Sequence, residues 1–84
     1  MFKVGDMVVC VDAKTDYRTT FKLIQGKLYK ILYVDDYHIT IVESKHCRWN
    51  LTRFELALKN NKLNRKLYPN YKIEGKFLIK ENYE

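Results

Sequence analysis

The chain has 84 residues, of which 46% are hydrophobic, and a formal net charge of +6. A chain of this length forms one domain and buries only about 60% of its unfolded surface, so a large internal substrate pocket is not expected. The basic excess is uneven. Residues 1–58 contain nine basic and seven acidic side chains, whereas residues 59–84 contain seven basic and three acidic ones. A basic segment of this kind favours an acidic partner, and a solvated, solubilising face is the alternative.

Short runs of β-branched and aromatic residues, separated by Gly, Asp and Asn, indicate a small all-β domain. The connection at residues 12–25 is long for a hairpin, and long loops in compact domains are often functional. A tight helical turn is expected at residues 51–53, before the last of five strands. The predicted strands are Met7–Val11, Leu28–Val34, His38–Glu43, Cys47–Asn50 and Phe54–Leu56.

After the fifth strand the pattern changes. Leu58–Leu67 favours a weak amphipathic helix or a solvated linker, because its three Asn residues disfavour a stable isolated helix. Residues 71–79 predict a small hairpin with Glu-Gly at the turn. We therefore predict a barrel at residues 1–58 and a basic extension at residues 59–84 that packs on the barrel.

Several short motifs follow one another in a fixed order: Lys3-Val4-Gly5-Asp6, Val8–Asp12, Leu23–Tyr29, Asp35-Asp36, Ile39–Val42, Trp49 and Arg53-Phe54-Glu55-Leu56. Read together, they resemble the small SH3-like barrel proteins of bacteriophages over residues 2–57. The resemblance implies a five-stranded SH3-like barrel and a phage source, and it brings no catalytic motif. The first strands also resemble, more weakly, the KOW-type barrels of ribosomal and transcription-elongation proteins.

The residues that could carry catalysis or bind metal do not converge in the sequence. Cys10 and Cys47 form no C-x-x-C motif, and both lie in apolar strand contexts, where a free Cys is a small core hydrophobe. His38 and His46 flank the third strand at opposite ends, and the Asp-Asp pair before them is typical of a turn. We expect no enzyme activity, no cofactor and no metal. Without a signal peptide or an apolar span, a reducing, cytoplasmic location is expected.

Candidate partner-binding residues are aromatic and basic, because Trp, Tyr and Arg dominate the binding energy of interfaces. Trp49 has two interpretations, core packing or a surface anchor, and its neighbour on the strand points to the opposite face. The basic residues after position 58 recur at i, i+3, i+6 and i+7, which on a helix gives a stripe suited to phosphates. The candidates are Tyr17, Arg18, Tyr37, His38, Arg48 and Trp49 in the barrel, and Lys59, Lys62, Arg65 and Lys66 in the extension.

The sequence therefore predicts a non-enzymatic binding module that docks on another protein, and the resemblance to phage barrel proteins implies that it is encoded by a phage and inhibits a host or phage protein. A defence or nucleic-acid-processing enzyme with an acidic surface is the expected partner, in the host cytoplasm. Direct nucleic-acid binding through the basic extension and exposed tyrosines is one alternative. A virion or assembly accessory role is another. No membrane partner and no small-molecule substrate are predicted.

Overall fold

The computed structural model describes residues 2–14 and 19–81 of the chain. The prediction of an all-β protein is confirmed, since the one helical element among these residues is a single 3₁₀ turn at Leu51–Arg53. The strands are β1 (Met7–Cys10), β2 (Leu28–Val34), β3 (His38–Ile41), β4 (Ser44–Asn50), β5 (Phe54–Lys59), β6 (Lys62–Leu63), β7 (Tyr71–Glu74) and β8 (Phe77–Lys80).

Six of the strands form one antiparallel sheet in the order β4-β3-β2-β1-β5-β6. The sheet is open, with β4 and β6 as its two edges. The sequence predicts five strands closed into a barrel, and this is corrected in two respects. The sheet has six strands rather than five, because β6 extends it beyond β5, and it is open rather than closed.

Strand β2 joins the two halves of the sheet. Its first residues pair with β1, where Leu28 lies opposite Val9, and its later residues pair with β3, where Ile31 lies opposite Ile41. The register of the β2–β3 ladder shifts between Ile31 and Tyr33. An irregularity of this kind increases the local bend and twist of a strand, which allows one half of the sheet to turn over the other.

Both faces of β1 are buried, because successive side chains of a strand point to opposite faces. Val8 and Cys10 belong to the main core, and Val9 belongs to a smaller cluster with Leu28 and Ala57. The main core also contains large side chains from the strands and from the loop before β2: Leu23, Tyr29, Ile31, Ile39, Ile41, Trp49 and Phe54. The sheet therefore has its principal core on one face and a smaller apolar cluster on the other.

Of the two turns around β4, one differs from the sequence prediction and one agrees with it. The predicted turn at residues 44–46 lies inside β4, and the chain reverses instead at residues 42–43. The predicted helical turn at residues 51–53 is confirmed. It is capped by Asn50, whose Oδ1 accepts from the backbone N–H of Thr52 at 3.0 Å, as Asn does at helix N-termini.

The helix predicted as one reading of Leu58–Leu67 is wrong. In its place the chain forms a β5–β6 hairpin, with Asn60 and Asn61 at the two turn positions. Their φ angles are 53° and 62°, and a two-residue hairpin turn with positive φ at both positions matches the twist of the strands it joins. Asn tolerates this left-handed region better than most residues. Two of the three Asn residues that disfavour a helix, Asn60 and Asn61, therefore have a role in this turn.

The C-terminal hairpin is confirmed as β7 and β8, with Ile73 opposite Leu78. It attaches to the beginning of β2: the N–H of Leu28 donates to the carbonyl of Lys76 at 2.7 Å, and the N–H of Leu78 donates to the carbonyl of Gly26 at 2.9 Å. The Leu78 side chain packs against the smaller cluster. The hairpin is therefore joined to the start of β2 by backbone hydrogen bonds and contacts the smaller cluster through Leu78.

Candidate functional site

The four predicted basic residues of the extension meet at the β5–β6 end of the sheet, although no helix carries them. Lys59 lies directly opposite Lys62 in the hairpin ladder. The turn that follows β6 contains Arg65 and Lys66. Together these side chains line a shallow groove of about 480 Å³, which we call the basic groove; its other lining residues are Leu56, Asn60, Leu63 and Asn64.

Asn64 fixes the segment that carries Arg65 and Lys66. Its backbone N–H donates to the carbonyl of Ala57 at 2.8 Å, and its side-chain amide donates to the carbonyl of Leu56 at 3.1 Å. Its own carbonyl accepts from the N–H of Tyr68 at 3.0 Å. These bonds tie the turn to β5, so the two halves of the basic groove are held in one arrangement.

The lining of the basic groove contains four cations and no carboxylate. A like-charge pair directly across two strands, such as Lys59 and Lys62, is destabilising. The carboxylate of Glu55, also on β5, accepts a hydrogen bond from the Tyr68 hydroxyl at 2.7 Å. Burial and this carboxylate raise the pKa of Tyr68, so the phenol remains a neutral donor. Since no carboxylate of the chain lines the groove and Glu55 is already bonded to Tyr68, the four cations favour binding of an anionic partner.

The tyrosines beside the basic groove are packed against each other. The rings of Tyr68 and Tyr71 meet edge to face at 5.2 Å, and both side chains are half-buried. Arg65 donates from Nη1 to the carbonyl of Tyr71 at 3.0 Å. These rings therefore present little free face on which a nucleic-acid base could stack.

A second group of predicted residues meets at the β2–β3 turn. Asp35 organises it: its Oδ1 accepts from the backbone N–H groups of Tyr37 and His38 at 2.8 and 2.7 Å, and its Oδ2 accepts from Arg48 at 2.6 Å. In that order these bonds lower the pKa of Asp35 to about 2. His38 Nδ1 lies 3.8 Å from Oδ1 of the same carboxylate.

This arrangement neutralises Arg48 and leaves an aromatic surface beside it. Tyr37 is 73% exposed, and Tyr33 on β2 is similarly exposed. Asp35 was predicted only as a turn residue, and its role as the common partner of three groups was missed. The sequence did contain a signal for this role. Asp35 precedes Tyr37 by two residues and His38 by three, and at these spacings an Asp side chain accepts hydrogen bonds from backbone N–H groups.

Trp49 is 3% exposed and belongs to the main core. The guanidinium carbon of Arg53 lies 5.6 Å from the centre of its ring, and the ring of Phe21 lies 6.2 Å away. Of the two interpretations, the surface anchor is therefore wrong, because no exposed face remains for a partner. Its neighbour Arg48 is exposed on the other side of β4, as the alternation along the strand predicts.

The long loop before β2 is described only in part, and the candidates Tyr17 and Arg18 lie outside the described residues. Its later portion packs on the core, where the Thr19 hydroxyl lies 3.0 Å from the Cys47 sulfur. Both cysteines are free, and burial raises the pKa of the Cys10 thiol. In residues 2–14 and 19–81 no three metal-ligating side chains cluster. The same residues include no helix with the length and apolar character needed to cross a membrane.

Comparisons of the chain with protein-family models, with curated proteins and with solved structures find no match. A function for this chain is therefore inferred from its own geometry. Two exposed surfaces stand out, the basic groove and the turn organised by Asp35, and the first contains four of the predicted binding residues.

Proposed function

We propose that this chain is a non-enzymatic binding module that docks its basic groove on an acidic surface of a partner protein. The observation that carries the proposal is the convergence of Lys59, Lys62, Arg65 and Lys66 on one groove without a carboxylate in its lining. Such a cluster attracts an anionic surface over long range and speeds the encounter with it. The turn at Tyr37 and Arg48 would supply a second, aromatic contact.

We infer that the scaffold is a variant of the SH3-like barrel. Three features support this: the order β4-β3-β2-β1-β5, the sharing of β2 between both halves of the sheet, and the 3₁₀ turn directly before β5. Strand β6 and the β7–β8 hairpin are then additions to this scaffold. Additions to a shared scaffold are where individual function is commonly placed, and β6 with the turn after it supplies three of the four basic residues of the groove.

A protein partner is favoured over a nucleic acid by the surroundings of the basic groove. Proteins that bind single strands combine a positive groove with aromatic rings on which bases stack. Here the neighbouring rings of Tyr68 and Tyr71 contact each other. The exposed rings, Tyr33 and Tyr37, lie instead at the β2–β3 turn, where Arg48 is already paired with the Asp35 carboxylate and is not free to bind a phosphate. The resemblance to phage barrels is the sole basis for expecting a host protein as the partner and inhibition as the outcome.

The test compares two variants with the same loss of charge. In the groove variant, Lys59, Lys62, Arg65 and Lys66 are each replaced by Gln. In the matched control, four exposed lysines outside the groove are replaced by Gln: Lys14, Lys22, Lys30 and Lys45. Proteins captured from nuclease-treated lysate by the wild type are identified, and their affinity for each variant is measured. We expect the groove variant to bind about 10-fold more weakly or worse, since electrostatic steering alone accounts for that factor, and the control to bind almost normally.

Equal affinities for the two variants would show that net charge, not the groove, attracts the partner. Titration with defined DNA and RNA oligonucleotides at about 50 mM salt distinguishes a nucleic-acid partner from a protein partner. Tight binding that falls steeply with added salt, and that the groove variant loses, would replace the protein partner with a nucleic acid. Thermal unfolding of all three proteins shows that each remains folded.

A further inference from the structure

The β7–β8 hairpin has two edges, and only one is occupied by the rest of the chain. The outer edge of β8 lies against the beginning of β2, where the N–H of Leu78 donates to Gly26. Among the described residues, β7 has β8 as its only strand partner. An unpaired edge strand is a template for another strand.

The register of the hairpin shows which groups of β7 face outward. Glu74 and Phe77 flank a two-residue turn and form the hydrogen-bonded pair next to it, so the adjacent pair of Ile73 and Leu78 is a non-hydrogen-bonded pair. The N–H of Leu78 indeed points away from β7, towards Gly26. By the same alternation the N–H and C=O of Ile73 point away from β8. The outward carbonyl of Tyr71 accepts from Arg65, which leaves Ile73 at the centre of the open edge.

The side chains on either side of Ile73 carry opposite charges. Lys72 and Glu74 share one face of the hairpin, 3.7 Å apart, and both are more than half exposed. If a second β7 pairs antiparallel with the first around Ile73, each Lys72 lies opposite the Glu74 of the other copy. Opposite charges directly across two strands are stabilising. The edge is therefore complementary to itself, as a twofold contact between identical chains requires.

The apolar side chains of the hairpin support the same contact. Ile73 is 37% exposed, and the twofold arrangement would bring it against Ile73 of the second copy. Phe77 and Ile79, also partly exposed, lie on the opposite face and flank the two charge pairs. Pairing of the two β7 edges removes part of the Ile73 surface from water, whereas Phe77 and Ile79 on β8 lie one strand further from the contact.

The other edges of the main sheet do not have this self-complementarity. Strand β4 presents the exposed side chains Lys45, His46 and Arg48, so a second β4 would set basic residues against basic residues. Strand β6 has only two residues, and they include Lys62 of the basic groove. We propose that two copies of the chain associate through antiparallel pairing of their β7 edges, with the twofold axis at Ile73. The contact is short, so the association is weak and reversible.

Analytical ultracentrifugation over a concentration series tests this pairing. Lys72→Glu places two carboxylates opposite each other in both pairs, and we expect it to weaken self-association by about 10-fold or more. Glu74→Lys places two ammonium groups opposite each other in both pairs, and we expect it to weaken self-association to the same extent. The double variant Lys72→Glu/Glu74→Lys restores opposite charges across the twofold axis and with them the association of the wild type. Lys45→Glu, which makes the same charge change on the β4 edge, is the matched control and leaves association unchanged.

A backbone variant tests the hydrogen bonds independently of charge. Ile73→Pro removes the outward N–H, which the hairpin itself does not use, so the monomer keeps its hairpin and loses its dimer. Proline is tolerated on an edge strand where the missing N–H faces solvent. A wild-type protein that stays monomeric up to about 1 mM overturns the proposal. It is equally overturned if the double variant fails to regain association or if Lys45→Glu weakens it as much as Lys72→Glu does.

Discussion

The residues up to Ala57 and the residues after it differ in what holds them in place. Among the described residues, every buried side chain lies between Val8 and Ala57. The later segment, residues 58–81, adds β6 to the sheet but contributes no fully buried side chain. Its contacts with the smaller cluster are made by the half-buried residues Leu78 and Tyr68. The first region supplies the stability of the fold, and the second supplies most of its net positive charge.

This division has a physical advantage for the proposed binding function. Charged residues on a surface that supports no core can be replaced without creating a cavity or a buried unpaired charge, which are the changes that destabilise proteins most. The repulsion between Lys59 and Lys62 destabilises only the β5–β6 hairpin, which its two-residue turn stabilises, and it does not disturb the core. The predictions that follow change one region at a time.

The largest effect is expected in the first region. Trp49→Ala removes the largest side chain of the main core and leaves a cavity, so we expect a loss of about 3–5 kcal/mol in the free energy of unfolding. Urea denaturation followed by circular dichroism measures it. Tyr37→Ala, at an exposed aromatic residue, is the matched control and changes stability by about 0.5 kcal/mol or less. A loss at Trp49 no greater than that of the control would contradict the placement of the indole in the core.

A smaller effect is expected where the two regions meet. Leu78→Ala removes the side chain with which the β7–β8 hairpin packs on the smaller cluster, and half-burial limits the loss to about 1–2 kcal/mol. Hydrogen exchange should show faster exchange in the hairpin while β1 to β4 keep their protection, since weakly packed units open locally. Ile79→Ala, one residue along and on the other face, is the control. Uniformly faster exchange throughout the chain would mean that the two regions unfold as one unit.

The smallest effect concerns the turn at Asp35. Because the folded pKa of Asp35 is lowered to about 2, its carboxylate stabilises the fold above the unfolded pKa of about 3.9, and this contribution is lost as the pH falls through the folded value. Wild type should therefore exceed Asp35→Asn in urea midpoint at neutral pH, and the two should converge near pH 2. Asp36→Asn, with the same charge change on the same turn, is the control. A difference that persists unchanged in acid would rule out the titration of Asp35 as its cause.

Prediction from the sequence worked best where local pattern and burial agree. Strand β2, with seven residues of strong β propensity, was bounded correctly at Leu28 and Val34. The β7–β8 turn was placed correctly because Glu-Gly favours a reversal there. The segment after Leu58 was misjudged because the basic residues were counted at helical spacing. The symmetric order Leu-Lys-Asn-Asn-Lys-Leu at residues 58–63 is the signal for a hairpin around Asn-Asn, and it was not used.

By itself, the sequence determined the all-β class, most of the strands, the 3₁₀ turn and the basic character of the C-terminal segment. Propensity, alternation and turn residues act over a few neighbours, so they can be read along the chain. Only the tertiary structure decided that Trp49 is in the core, that Asp35 joins Arg48 to the β2–β3 turn, and that four basic residues meet in one groove. Those outcomes depend on pairing between distant strands and on which face each strand buries, and local preferences do not specify either.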